Sequence, residues 1–427
     1  MAVLVQKYGG TSVGDAEKIR HVAERIAAAH RAGNSIAVVV SAMGDTTDRL
    51  IDLAQSISAT PDPRELDLLL STGELVSCTL VTMALREIGE QAVSMSGAQA
   101  GIRTDTAHGS ASIVDFDAER VQQALDAGRI VIVAGFQGVT HEMDVTTLGR
   151  GGSDTTAVAL AAALGAERCE VYTDVDGIYT ADPRIVPDAR KLEEIGYEEM
   201  LELASYGAKM HPRSIELAAW YNTPVLVASS ARDVPGTLIH EIAPSGDGAP
   251  SGDGAPAGAG GPEEGAGMEV ANKVRGVTYE RGVARIPLRA VPARPGIAAA
   301  VFEPLAASNI SVDTIVQNAS AERLTDLSFT VDSSDLRAAL QVTEGVAGAI
   351  GAEECVSHDN LGQVSIVGTG MQNAPGVAAV MFSALAEAGV NIEMITTSQI
   401  RITCVVDEAQ VNDAVRTLHA AFELAEG

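Results

Sequence analysis

Up to about residue 230 the chain alternates short apolar runs with stretches in which apolar residues recur at helical spacing. The runs at 3–6, 36–40, 92–94, 130–134, 170–173 and 225–228 carry β-branched residues and read as strands. The stretches at 16–29, 48–57, 74–86, 118–125, 156–164 and 214–220 predict helices. This alternation predicts an α/β domain with a mainly parallel sheet, whose ligands bind at the carboxyl ends of its strands. Residues 244–267 contain only Pro, Ser, Gly, Asp, Ala and Glu, with Ala-Pro-Ser-Gly-Asp-Gly occurring at 243–248 and again at 249–254. Nothing there can enter a core, so it reads as a flexible linker. Beyond it, RPGIAAAVFEPLAASNISVDTI at 294–315 is repeated as APGVAAVMFSALAEAGVNIEMI at 374–395. Each copy predicts a Pro-Gly turn, an amphipathic helix and an alternating strand, hence a duplicated module. A Pro-Gly turn at a helix start is also a small anion-binding concavity, which suits a zwitterionic ligand.

Composition narrows the picture. A chain of 427 residues is long enough for two or three domains. Aromatics make up 3% and the apolar content is mostly Ala, Val, Leu and Ile, which suits helices packed on a buried parallel sheet. A formal net charge of −28 disfavours nucleic acid and anionic membrane as partners. Cys78, Cys169, Cys355 and Cys404 lie far apart with no CxxC pair, which fits a reducing cytoplasm and argues against a zinc site. The first residues do not read as a signal peptide, and no uninterrupted apolar stretch is long enough to span a bilayer.

Gly149-Arg150-Gly151-Gly152-Ser153-Asp154-Thr155-Thr156 runs into a strong helix former at 156–164. A glycine turn feeding a helix start aims free N–H groups at an anion, and Arg150 adds a fork suited to a carboxylate or phosphate. Ser153 and Asp154 are also good N-cap residues, so a simple capped helix explains the same letters. Lys7-Tyr8-Gly9-Gly10-Thr11-Ser12 follows the first strand and can cradle phosphate oxygens, although the Walker A order is absent. Ser41 to Asp48 ends a strand in small and hydroxyl residues. Ser71-Thr72-Gly73-Glu74 puts a carboxylate at a predicted helix start, and Asp174 and Asp176 follow a strand where they suit a metal, a ribose or a plain turn.

In this order, Lys7-Tyr-Gly-Gly-Thr-Ser, Ser41-Ala-Met, Ser71-Thr-Gly-Glu74, Gly149-Arg-Gly-Gly-Ser-Asp-Thr-Thr and Thr173-Asp-Val-Asp-Gly-Ile-Tyr resemble the aspartate kinases, and the paired repeat resembles that family's tandem ACT domains. The resemblance covers nearly all of the chain outside the linker. It implies an amino-acid-kinase-type α/β sandwich over 1–243, the linker at 244–267, and two ferredoxin-like βαββαβ ACT domains within 268–427, near 285–355 and 362–427. The implied activity is ATP-dependent phosphorylation of the β-carboxylate of L-aspartate, with Mg2+ arriving on ATP and no metal site of the protein's own.

Carried over position by position, the resemblance implies Lys7, Asp154 and Lys209 as the catalytic set. Lys7, Gly9, Gly10, Ser12, Thr173, Asp174, Tyr179, Arg184 and Lys209 would bind ATP. Ser41, Thr47, Glu74, Arg150, Gly151, Gly152 and Ser153 would bind aspartate, with Arg150 on the α-carboxylate and Glu74 on the ammonium. Lysine and threonine would act as effectors at Arg294, Gly296, Ile297, Gln317, Asn318, Pro375, Gly376, Val377, Asn391 and Ile392. The ACT domains imply a cytoplasmic homo-oligomer, and Met268 suits an internal start for a separate ACT-only subunit. Some letters depart from the family: Met210 alone stands between Lys209 and His211-Pro212, and Gln399 stands where Glu is frequent. A related kinase of another small acid and a catalytically inactive amino-acid sensor are the alternative readings.

Overall fold

A computed structural model describes residues 2–205, 210–242, 274–319, 324–371 and 376–426. The linker, Lys209, Met268 and Pro375 lie outside the described residues. The chain forms two compact units. One holds the chain through Ile178 and again from Lys191; the other holds Tyr179–Arg190 and, among the described residues, everything from Val274 onward.

In chain order the strands of the first unit are β1 (Val3–Tyr8), β2 (Ser35–Val40), β3 (Ala92–Met95), β4 (Ile102–Thr104), β5 (Ile113–Phe116), β6 (Ile130–Ala134), β7 (Gln137–Val139), β8 (Val145–Thr147), β9 (Arg168–Thr173), β10 (Glu194–Gly196), β11 (Val225–Ser229) and β12 (Thr237–His240). Its helices are α1 (Ala16–Arg31), α2 (Thr46–Ile57), α3 (Pro63–Glu87), α4 (Gly97–Ala100), α5 (Glu119–Asp126), α6 (Gly152–Ala163), α7 (Tyr197–Ser205) and α8 (Pro212–Trp220). The main sheet runs β10-β12-β11-β9-β1-β2-β6-β3, and the six strands from β11 to the β3 edge are all parallel. Every strand expected from the sequence is present. The small sheet β5-β4-β7-β8 is an addition, built from strands too short to show an apolar period.

The runs Ile36–Val40 and Ile130–Ala134 are apolar at every position because helices cover both faces of the sheet: Ile36, Val38, Val40, Ile130 and Ile132 are fully buried. Each such side chain contributes about 1.5–3 kcal/mol relative to exposure. A buried polar strut ties β1 to β9. Gln6 Nε2 and the Tyr172 hydroxyl each donate to Glu170 Oε2 at 2.9 Å, and the Tyr8 and Tyr172 rings stack at 4.9 Å. Side chains alternate along a strand, so Lys7 projects to the face opposite Gln6 and Tyr8.

Two sequence expectations change here. Glu74 does not start a helix. Asp62 caps α3 by accepting from the backbone of Arg64 and Glu65, and Pro63 sits in its first turn, so Glu74 falls mid-helix. Gly73, which reads as punctuation, instead lets α3 approach the loop after β2: a Cβ there would lie 2.9 Å from the Ala42 Cβ. Second, α3 is 25 residues long and passes a length-and-composition test for a membrane span, contrary to the expectation that no stretch does. Half of the tested window is buried, and the helix carries the buried carboxylates Asp67 and Glu74, as a core helix does.

The second unit contains β13 (Gly276–Pro292), β14 (Ile315–Ala319), β15 (Leu324–Asp332), β16 (Glu354–Cys355), β17 (His358–Val367), β18 (Met394–Thr397) and β19 (Arg401–Asp407). Its helices are α9 (Ile297–Ala307), α10 (Leu336–Ile350), α11 (Val377–Glu387) and α12 (Val411–Ala421). The sheet runs β14-β15-β13-β17-β19-β18, all antiparallel, with β16 also on β13. The sequence repeat is a structural repeat: α9 and α11 begin and end at equivalent positions, behind Gly296 and Gly376 in left-handed conformation. The excursion Tyr179–Arg190 packs in this unit, where Ala181, Ile185 and Val186 join a core with Leu418 and Phe422. Thr180 Oγ1 lies 2.9 Å from His419 Nε2, and the Val277 N–H donates to the Thr180 carbonyl at 2.7 Å.

Candidate active site

Four polar segments meet at the carboxyl ends of β9, β1, β2 and β6. Lys7, the penultimate residue of β1, is mostly buried, and its Nζ lies 2.6 Å from Asp154 Oδ1 on α6. The chain then turns through Gly9 and Gly10 into a short 3-10 helix, Gly10–Val13. Gly10 must be glycine, since a Cβ would sit 2.6 Å from the Ala42 carbonyl, and its own carbonyl accepts from the Gly44 N–H at 3.0 Å. Ser12 Oγ is buried without a hydrogen-bond partner among the described residues.

The glycine turn forms the second wall. Gly149 and Gly151 have φ of +73° and +69°, and Gly151, not Ser153 or Asp154, is the N-cap of α6. Left-handed glycine lets the chain enter the helix so tightly that Ser153 and Asp154 fall in the first turn, both buried, with Asp154 turned to Lys7. A Cβ on Gly151 would collide with the His211 ring. Ser153 Oγ faces β6, 2.9 Å from where a Cβ on Gly135 would be. Arg150 is exposed, and no described residue pairs with it.

Glu74 closes the pocket. It is 3% exposed. Its Oε1 accepts from the Ala42 N–H at 3.1 Å, and its Oε2 is buried without a hydrogen-bond partner among the described residues. Burial pushes this carboxyl up to about 7, and the Ala42 hydrogen bond offsets only part of that. A buried carboxylate with an open oxygen is a receptor for a cation. Ser41 and Thr47 are half-buried on the adjoining loop and on α2, and the Ser41 carbonyl accepts from Ser77 Oγ at 2.7 Å.

On the other side of β1, Thr173 ends β9 and donates from Oγ1 to Asp174 Oδ1 at 3.1 Å. The Gly9 N–H reaches the Tyr172 carbonyl at 3.5 Å, so the Lys7 turn and the end of β9 are neighbours. Asp176 is held by Arg232 at 2.6 Å. Among the described residues no group of three or more His, Cys, Asp and Glu could hold a metal. Tyr179 and Arg184 belong to the second unit, where Arg184 pairs with Asp182 at 2.7 Å.

In that unit Arg294, Gly296, Gln317, Asn318 and Asn391 are exposed. Ile297 and Val377 bury their side chains in the two cores, so an effector there meets only their backbone. Ile392 packs against one of these cores, and Gly376 has φ +109°.

Sequence reading missed four residues that shape the first unit's site. His211 caps α8 and packs on Gly151, and burial lowers its pKa. Arg213 donates to the carbonyls of Leu148 at 2.9 Å and Ala111 at 2.7 Å. The buried Asp67 pairs at 2.8 Å with the half-buried His108 beneath the same turn. His211-Pro212-Arg213 was a visible helix-start signal; the Asp67–His108 pair, far apart in sequence, was not.

Against known proteins, residues 2–229 match the amino acid kinase family, and residues 289–345 and 364–422 match the ACT domain. An aspartate kinase from Stutzerimonas stutzeri is 48% identical over 425 residues, covering 99% of this chain and 98% of that relative. The crystal structure of E. coli aspartokinase III in complex with aspartate and ADP aligns with a TM-score of 0.79 at 27% identity, over 98% of this chain and 99% of that one. The same enzyme in complex with lysine and aspartate aligns at 0.73 and 26%, over 98% and 99%.

Proposed function

The chain belongs to the aspartokinases, amino acid kinases with paired ACT domains, and on that premise we propose how its residues carry ATP-dependent phosphorylation of the L-aspartate β-carboxylate under ACT control. The observation that carries the reading is the buried Glu74 carboxylate with its open Oε2, in the same unit as a glycine turn whose exposed Arg150 pairs with no described residue. One anion receptor and one cation receptor are what an α-amino acid's carboxylate and ammonium require.

In this reading Arg150 takes the α-carboxylate and Glu74 the ammonium, with Ser41, Thr47, Ser153 and the backbone of Gly151 and Gly152 completing the pocket. Lys7, Gly9, Gly10 and Ser12 hold the β- and γ-phosphates, and Asp154 keeps Lys7 aimed. Thr173 and Asp174 face the nucleoside side, and Tyr179, Arg184 and Lys209 are its remaining family positions. A β-carboxylate oxygen attacks the γ-phosphorus, the bond to the bridging oxygen breaks, and ADP leaves with the electron pair. The nucleophile is already ionised at neutral pH, so no general base is needed. Catalysis rests on alignment and on Lys7 offsetting charge on the transferring group. Mg2+ would arrive on the ATP phosphates and neutralise their charge, and Asp154 and Asp174 would be the carboxylates to hold it or its waters.

Regulation is assigned to lysine and threonine at the ACT repeats, with Arg294, Gly296, Ile297, Gln317 and Asn318 in the first and Pro375, Gly376, Val377, Asn391 and Ile392 in the second. The strands β14 and β18 end the sheet and expose Ile315 and Ile395, which suits assembly with a second copy or with an ACT-only subunit begun at Met268. Free thiols at all four cysteines agree with a cytoplasmic enzyme. The test is trapping with hydroxylamine: ATP plus L-aspartate should yield aspartyl hydroxamate. ATP turnover without hydroxamate from aspartate would overturn the assignment.

A further inference from the structure

Asp67 is a fully buried carboxylate, 1% exposed, on the same face of α3 as Ser71 and Glu74. Burying such a charge is costly unless several donors meet it. Four hydrogen bonds do. His108 Nδ1 lies 2.8 Å from Oδ2, the Gly109 N–H reaches both oxygens at 3.1 and 3.0 Å, and Thr147 Oγ1 donates to Oδ1 at 2.5 Å. These donors come from two segments that border the glycine turn. Thr147 ends β8, three residues before Arg150. His108 and Gly109 lie in the turn before β5, and the Gly109 carbonyl sits 3.1 Å from where a Cβ on Gly149 would be. The Ala111 N–H donates to the Thr147 carbonyl at 2.9 Å, closing the two segments on each other.

Arg150 has no such support of its own. It is exposed, pairs with no described residue, and is flanked by two left-handed glycines that hold no side chain. Its direction is therefore set by what grips the residues just before it. We infer that Asp67 is a positioning residue for substrate recognition, which through Thr147 and the His108-Gly109 turn fixes the strand end that aims Arg150 at the amino acid's α-carboxylate. The inference rests on the reading of Arg150 given above. Asp67 touches no substrate; it acts on the aspartate side of the pocket and leaves the phosphate side, built on β1, to itself. A misplacement of about 1 Å at such a clamp can cost on the order of a hundredfold.

The experiment is steady-state kinetics on the full chain for Asp67→Asn, Thr147→Val and Arg150→Gln, with each substrate varied in turn. Asp67→Asn keeps the shape and removes the charge. Thr147→Val keeps the β-branched shape, removes one donor, and serves if Asp67→Asn does not fold. The expected result is a rise in aspartate KM of about tenfold to a hundredfold for Asp67→Asn, and a smaller rise for Thr147→Val. The ATP KM should stay within about twofold in both. Combined with Arg150→Gln, Thr147→Val should add nothing, because the arginine it aims is gone. A purely structural role would lower the active fraction, and hence apparent kcat, with both KM values unmoved, and that result overturns the inference. If Arg150→Gln raises aspartate KM but neither other variant does, the inference fails while the reading of Arg150 stands. If Arg150→Gln leaves aspartate KM unmoved, the reading itself falls and the inference with it.

Discussion

At the carboxyl end of the first unit's sheet, Lys7 and Asp154 are about nine-tenths buried and Glu74 almost wholly so, each held by a near neighbour. In the second unit Arg294, Gln317, Asn318 and Asn391 stand in solvent, on loops and an edge strand, and the Asn391 amide donates to its neighbour Glu393 at 2.9 Å. The contrast follows from what each region must do. A group that offsets charge as a phosphoryl moves is effective in a dry site with fixed donors, where electrostatic interactions are strong and need no reorganisation. A group that senses an amino acid has to be reachable, and gains its specificity when a second surface closes over the ligand. Lys7, Glu74, Asp154 and the glycine turn all lie in the first unit; in the second, the residues proposed for effectors flank a sheet that ends at β14 and β18.

The comparison breaks most visibly at Lys7. Lys7→Ala should lower kcat by about a hundred- to a thousandfold, as loss of one preorganised donor does elsewhere. A variant within tenfold of the parent would remove Lys7 from the reaction. Glu74→Gln comes next. It keeps the shape of the pocket but no longer offers a charge to the ammonium, so aspartate KM should rise about ten- to a hundredfold.

The same variant sharpens the comparison through stability. The folded-state pKa of Glu74, about 7, lies above its ordinary value of 4.5, so the folded protein holds a proton that the unfolded chain has released. Stability at Glu74 is therefore greatest below pH 4.5 and is lost as pH rises through 7. Glu74→Gln should thus be more stable than the parent at pH 8, by on the order of 2–3 kcal/mol, and the gain should shrink toward pH 5. Melting curves at the two pH values check this. An equal or lower melting temperature at pH 8 would mean that the carboxylate is not strained by burial.

In the second unit the expected effects are smaller. Gln317→Ala with Asn318→Ala should raise the half-inhibitory concentration of lysine plus threonine about five- to fiftyfold, within the usual range of allosteric coupling. An unshifted inhibition curve would move the effector site elsewhere. Smallest is Gly296→Ala. Its φ is +90° with nothing within 4 Å of the new methyl, so the cost is backbone strain alone, about 1–2 kcal/mol in the second unit. Gly151→Ala, strained and blocked by the His211 ring, should cost more. Equal melting shifts in the two would contradict the tight packing claimed for the substrate turn.

The parallel core was legible because Ile36–Val40-type runs are apolar at every position, a pattern that only a strand covered on both faces sustains. The repeat in the second unit was legible because Pro-Gly, helix and strand recur in one register. The start of α3 was not: Asp62-Pro63 is a start signal, but Ser71-Thr72-Gly73 resembles a stronger one, and only packing against Ala42 explains a glycine inside the helix. The allegiance of Tyr179–Arg190 was hidden because its few apolar residues find their partners beyond residue 270. Lys7, Glu74 and the glycine turn stood out through local motifs. Asp67, His108, Arg213 and the open Glu74 oxygen did not, because their roles arise from contacts between distant segments, such as Asp67 with Thr147.

The claim at the centre of this account is that a single buried carboxylate receives the amino acid's ammonium. It is tested most directly by the pH dependence of kcat/KM for aspartate, which reports groups of the free enzyme. With Glu74 titrating at about 7, the ionised form that binds ammonium is lost below that pH. The parent enzyme should therefore lose kcat/KM about tenfold per pH unit on the acid side, while Glu74→Gln shows a low value with no such limb. A flat acid limb in the parent, or the same limb surviving in Glu74→Gln, would contradict it.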